Sequence, residues 1–153
     1  MMRRKEKEIS ERSEIETIIL KSIVCRVGLS CDNIPYIVPM CFGYQDNAIY
    51  VHSSLEGSKI AMLQKNNNVC FEFDGDTEIV QGDQACAWGM RYRSVIGFGK
   101  AYFLKEPDEK RKALEVIMAH YSDLSFEFPE KSINRTAVIK IAIQSMTGKK
   151  SGM

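Results

Sequence analysis

The segment VCRVGLSCDNIPYIVPMCFGY, residues 24–44, constrains the fold more than any other part of the chain. One run alternates apolar with small or polar residues, Asp32 and Asn33 supply turn chemistry, and a second extended run returns. Strands joined by so short a turn are antiparallel neighbours. Pro35 and Pro39 confine the second strand to an edge, an end or a bulge, because neither has an N–H for a central ladder.

The same grammar continues downstream. QDN, residues 45–47, is a turn and AIYVHSS a strand. NVCFEFD is a strand, GD a turn and TEIVQ a weaker strand. After a loop through Cys86 and Trp88, a long strand runs to about Leu104, and RTAVIKIAIQSM closes the chain's pattern with Ala137, Ile139, Ile141 and Ile143 on one face. Three helices interrupt the strands. One follows Ser10, with Ile15, Ile18 and Ile19 at helical spacing. One lies in LEGSKIAMLQKN, with Gly57 and Ser58 at its N-terminal end. The clearest begins at Pro107, with acids in its first turn and a stripe of Leu114, Ile117, Met118 and Tyr121. Strands follow one another through hairpins, not helical crossovers, so the expectation is an α+β fold whose antiparallel sheet closes into a barrel.

A chain of 153 residues, 44% hydrophobic and 27% charged, supports one core. The expectation is a single domain over residues 1–153, with 1–9 as a solvated arm. Twenty-one basic residues against twenty acidic ones give a net charge of +1, which argues against a general nucleic-acid binder. Charges interrupt the N-terminal region before any signal-peptide core forms, and no apolar run approaches a membrane span. The expected setting is cytoplasmic, with no membrane and no nucleic acid among the partners. The five cysteines form no C-x-x-C pair and have no histidine at zinc spacing, so they read as reduced, mostly buried thiols, with no metal.

Three pieces share one chemistry. HSS (His52 to Ser54) ends a strand, GSK (Gly57 to Lys59) opens a helix, and RYRS (Arg91 to Ser94) opens a distant strand. Together they offer hydroxyls, helix N-terminal N–H groups, a lysine and two arginines, the mixture that a phosphate monoester requires. Gly97 and Gly99 bare one face of their strand, either for a close-approaching ring or backbone or for a barrel bend. The segment YIVPMCF offers backbone groups able to read a heterocycle's edge.

The runs PYIVPMCFGY, IYVHSSLEGSK, NVCFEFD, ACAWGMRYRSVIGFGKA and MTGK resemble the pyridoxamine 5′-phosphate oxidase-related flavoproteins, within them the nitroimidazole-resistance branch. The likeness spans about Arg4 to Lys149. It implies a six-stranded antiparallel split β-barrel of Greek-key type with short flanking helices, forming a homodimer with FMN at the subunit interface. It further implies flavin contacts at Ile37, Val38, Pro39 and Met40, at His52 and Ser53, at Ser58 and Lys59 for the phosphate, and at Ser94 across the interface with Arg93 beside it. Ile37 and Phe42 stand where true pyridoxamine phosphate oxidases carry Arg and Lys, and their C-terminal Arg/His segment is missing, which argues against vitamin B6 oxidation. FAD remains open in place of FMN.

The implied activity is reduction of a small flat acceptor, such as a nitroheterocycle or quinone, by a flavin that the protein positions. His52 is the candidate catalytic residue, as a proton source or as part of the pocket wall, and His120 is expected to be structural. The alternative is a flavin- or haem-binding module without turnover. A third, an OB-like nucleic-acid binder, fits a barrel but not the charge.

Overall fold

The computed structural model describes residues 2–152. After a 3-10 turn at Lys5–Lys7, the elements are β1 (Glu8–Ile9), α1 (Arg12–Lys21), β2 (Cys25–Cys31), β3 (Ile34–Met40), β4 (Gly43–Gln45), β5 (Ala48–Ser54), α2 (Ser58–Lys65) and β6 (Asn68–Val80). They continue as a second 3-10 turn (Ala85–Ala87), β7 (Gly89–Leu104), α3 (Pro107–Tyr121), α4 (Glu130–Asn134) and β8 (Thr136–Ser151). All the strand pairings are antiparallel, in the order β3-β2-β6-β7-β8-β5-β4, with β1 on the free flank of β8. Six strands are long, β1 and β4 are stubs, and the sheet curls without closing: a split β-barrel.

The hairpin turns arise from left-handed backbone at the expected residues. Asp32 and Asn33 have φ of 51° and 65°, and Asp46 and Asn47 of 50° and 61°. Positive φ at both central positions matches the twist of the flanking strands, and Asp and Asn tolerate it.

Alternation sorts side chains cleanly. Val27, Leu29, Val69, Phe71, Phe73, Val95, Ala101, Ile139 and Ile141 fill the barrel, and Ile15, Ile18 and Ile19 of α1 plug its end. Gly97 and Gly99 face this interior. A Cβ on Gly97 would lie 2.2 Å from the Phe71 ring, and one on Gly99 would lie 2.4 Å from the Ala142 carbonyl. Of the two readings of the bare face, close packing at a barrel bend is the one observed. The register shift between Phe98 and Gly99 opposite β8 marks the bend.

Four expectations are corrected. Gly75-Asp76 is a bulge inside one long β6, with Asp76 at φ 53°, and not a turn. A bulge with αL backbone uses the same residues as a turn, so composition does not separate them. The N-terminal arm does not stay solvated through residue 9: Glu8 pairs with Lys149, Ile9 pairs with Gly148, and Ile9 is 2% exposed. The buried face of α3 is Lys110, Ala113 and Ile117, about one position from the expected stripe. Gly43 causes this, because its missing side chain lets the α3 backbone at Val116 approach within 2.6 Å of where a Cβ would stand. Among the cysteines only Cys25 is buried; Cys31 and Cys70 are intermediate, and Cys41 and Cys86 are exposed.

The end of α3 is latched to the barrel. Tyr121 Oη donates to the Ile23 carbonyl (2.8 Å) and accepts from the Phe42 N–H (3.0 Å), while His120 Nε2 meets the Ser22 carbonyl and its ring packs on Phe42. His120 is thus a structural residue.

The packing at Gly97 generates a prediction. Gly97→Ala should destabilise the fold by about 1–3 kcal/mol through overpacking against Phe71, read as a lowered urea midpoint with unchanged slope. A variant as stable as the parent would contradict the packed glycine face.

Candidate functional site

The first half of the site is built where β5 gives way to α2. His52 and Ser54 are exposed and Ser53 is half-buried. Ser54 Oγ donates to the Glu56 carbonyl (2.8 Å), which shapes the connecting loop. Gly57, at φ 130°, is the N-cap of α2 and contributes no capping side chain. The amides of Ser58, Lys59 and Ile60 therefore have no intrahelical acceptor, the condition that suits an anion. Lys59 lies beside them with its stem over a small cavity shared with Val38, Met40 and Val51. Burial first, then the Lys59 charge, holds the His52 imidazole below its ordinary pKa.

β3 forms the wall next to this corner. It pairs only with β2, so its other edge is open. Cys31 and Ile34 close a two-residue turn and exchange both their hydrogen bonds, after which hydrogen-bonded positions alternate. Tyr36, Val38 and Met40 thus turn their backbone groups into the ladder, and Pro35, Ile37 and Pro39 turn theirs outward. The prolines bring no N–H, so the middle of the open edge offers one donor, from Ile37, among three carbonyl acceptors. Side chains alternate in step with this: Val38 and Met40 point into the barrel, while Ile37, 70% exposed, points out. Of the residues expected in one constellation, Val38, Met40 and Lys59 line the same small cavity and His52 feels the Lys59 charge; Ile37 and Pro39 flank Val38 on β3, and Ser53 and Ser58 adjoin His52 and Lys59 in the chain.

Arg93 and Ser94 are elsewhere and do not act together. Ser94 pairs with Lys149 on β8, while Leu104, at the other end of β7, pairs with Val138, the partner of His52. Ten residues of strand separate the two ends, about 30 Å at 3.3 Å per residue. Alternation also puts Arg93 on the opposite face from Ser94. Its guanidinium bonds Asp76 at 2.9 Å and borders a cavity of about 240 Å³ with Glu14, Lys21 and Ser22 beneath α1. Sequence reading missed the partner because Asp76 comes alongside only through the bulge.

Ser94 instead opens onto a groove of about 410 Å³ on the outer face. Ile96, Phe98 and Met146 form its apolar part; Arg3, Lys149, Ser145 and Thr147 its polar part. Arg3 had been assigned to a solvated arm, and only the docking of β1 brings it here. Further out on the same face, Arg26 lies 3.5 Å from both Glu72 and Asp74. Burial, then Asp74, pushes the Glu72 carboxyl up to about 7. Among the described residues no three His, Cys, Asp or Glu side chains converge as a metal site would need, and no helix is long and apolar enough to cross a membrane.

The coupling between Lys59 and His52 is measurable. Lys59→Ala removes a repelling charge, so the His52 pKa should rise toward the ordinary imidazole value when followed by NMR. His120 serves as the internal control. A His52 titration unmoved by the substitution would mean that the two groups do not face one another.

Comparison with known proteins identifies the fold and the family. No curated protein matches the chain in sequence. A solved protein from Bacteroides thetaiotaomicron, assigned to 5-nitroimidazole antibiotic resistance, is 40% identical over 94% of this chain and 86% of its own, with a TM-score of 0.86. The flavocytochrome Anf3 from Azotobacter vinelandii shares the fold at 19% identity, over 100% of this chain and 73% of its own (TM-score 0.85). So does an FAD-binding protein from Mesorhizobium loti at 21%, over 93% and 96% (TM-score 0.68). The family profile for pyridoxamine 5′-phosphate oxidase matches residues 11–150. With the profile covering nearly the whole barrel, this chain belongs to the pyridoxamine 5′-phosphate oxidase family.

Proposed function

We propose that the protein is a flavin-dependent oxidoreductase that holds FMN and passes electrons to a small flat acceptor such as a nitroheterocycle. The observation that carries this reading is the uncapped start of α2 at Lys59, whose side chain shares a small cavity with Val38 and Met40 of the open-edged strand β3. That corner offers a phosphate site next to a heterocycle-reading edge. FAD binding by the Mesorhizobium protein supports a flavin, and the role assigned to the Bacteroides protein supports a nitro acceptor.

Bound FMN would supply the hydride and electron chemistry. The chain's own groups then have distinct tasks. The Ser58, Lys59 and Ile60 amides and the Lys59 ammonium bond the phosphate, with Ser53 bordering it. The Ile37 N–H and the flanking carbonyls match a ring edge that alternates acceptors and donors. His52, whose imidazole is held below its ordinary pKa, would hold or pass a proton to the bound cofactor or acceptor. Ile37 and Phe42 supply no cation for a second phosphate, which speaks against pyridoxamine phosphate as substrate.

A second copy completes the site in this reading. Ser94 is too far from Lys59 to share a ligand within one chain, and the outer face of β7 exposes Ile96 (49%), Phe98 (56%) and Tyr102 (48%). A two-fold axis crossing β7 near Gly99 covers this apolar strip and brings the Ser94 end of each copy to the Leu104 end of the other. Cytoplasmic residence fits the five free thiols.

The purified protein should be yellow. Lys59→Ala should weaken FMN by about 1.5–3 kcal/mol, the range of a charge-assisted hydrogen bond, while riboflavin binds parent and variant alike. A colourless protein that leaves added FMN fluorescence unquenched would refute the flavin assignment, and equal weakening of both flavins would place Lys59 in the fold and not at the phosphate.

A further inference from the structure

Several cations near the Ser94 end of the barrel are compensated. Arg91 faces Glu78 at 3.7 Å, Arg93 faces Asp76 at 2.9 Å, and Lys150 faces Glu14 at 3.1 Å. Arg26 is shared by Glu72 and Asp74. Arg3 and Lys149, like Lys5, Lys7 and Lys21, make no ion pair among the described residues; Glu8 stands opposite Lys149 on the ladder without bonding it, and no carboxylate lines the groove that Arg3 and Lys149 share. Lys149 Nζ rests 5.8 Å from the Tyr92 ring centroid, a contact that orients the ammonium without neutralising it. Ser94 stands opposite Lys149 and Thr147 is the next outward residue of β8, while Ser145 lies farther along the groove, about 13 Å from Lys149 at 3.3 Å per residue. Asp74, beside Ser94 on β6, is engaged by Arg26.

Two cations without an ion pair, with the Ser94 and Thr147 hydroxyls at the same end of the groove, suit a phosphate monoester, which brings close to two negative charges and three acceptor oxygens. The lining of this groove contains no Lys59, His52 or β3 backbone, so one chain cannot build both halves around one molecule.

We propose that Arg3 and Lys149 of one copy bind the phosphate of the FMN held by Lys59 of the other. This rests on the flavin reading above and on a second copy presenting its Ser94 face. The phosphate is the ionised group of FMN near pH 7, so it is the part of the cofactor that two extra cations recognise. The docking of β1 then has a role beyond covering the core, because the pairing of Glu8 with Lys149 fixes the chain five residues beyond Arg3, which lines the groove. Affinity for FMN thereby becomes coupled to assembly: a dissociated chain keeps Lys59 but loses both trans cations.

The test is complementation between variants. Lys59→Ala and the double variant Arg3→Ala/Lys149→Ala should each bind FMN about tenfold or more weakly than the parent, with riboflavin unchanged. Co-expressed with two different tags and purified through both, the mixed dimer has one doubly damaged site and one intact site. It should bind one FMN per dimer at parental affinity. A mixed dimer with no parental-affinity site, or an Arg3→Ala/Lys149→Ala variant that binds FMN like the parent, would overturn the proposal while leaving the flavin reading in place. A parent protein that binds neither FMN nor riboflavin would remove both.

Discussion

The contact between Phe71 and the bare backbone of Gly97 is the constraint on which the rest of the structure depends. β6, β7 and β8 are long strands paired along most of their length. Such strands wrap around a core only if one of them bends, and a bend needs a face where backbone and ring can meet without a side chain between. Gly97 and Gly99 provide that face, and the register shift after Phe98 provides the bend. A flat sheet from the same strands would leave Phe71, Phe73 and Val95 in water. Burial of such side chains is the largest favourable term available to a chain of this size.

The bend also decides where chemistry can occur. Curling without closure leaves β3 as a free edge, and the prolines at 35 and 39 keep that edge poor in donors, which suppresses strand addition by another chain. The remaining pattern suits recognition of a heterocycle. At the same time, the apolar strip Ile96, Phe98 and Tyr102 is displayed on the convex side of the strand whose concave side carries the glycines. One strand therefore serves the core with one face and, in the proposed dimer, the second copy with the other.

Much of this was legible in residue order, because it depended on local chemistry. Asp-Asn pairs between alternating runs encode hairpins, Pro107 followed by acids encodes a helix start, and GSK after a strand end encodes an N-terminal anion corner. What was not legible depended on neighbours distant in sequence. Asp76 reaches Arg93 only through a bulge that looks like a turn. Arg3 reaches the Ser94 groove only because two residues of β1 pair with β8. The face of α3 is set by the absence of a side chain at Gly43, far upstream. Arg93 illustrates the limit best: adjacent to Ser94 in sequence, it faces the other way and already has an acid partner, so the cationic neighbours of Ser94 are Lys149, across the ladder, and Arg3, beside it in the groove.

The central claim is that the flavin cleft is shared between two copies whose β7 outer faces meet. Native mass spectrometry of the flavin-loaded protein tests it most directly, because it reads chain count and cofactor count together. The account predicts a dimer of the 17.4 kDa chain carrying two flavins, with flavin lost as the dimer dissociates. A stable monomer that retains one tightly bound flavin would contradict it.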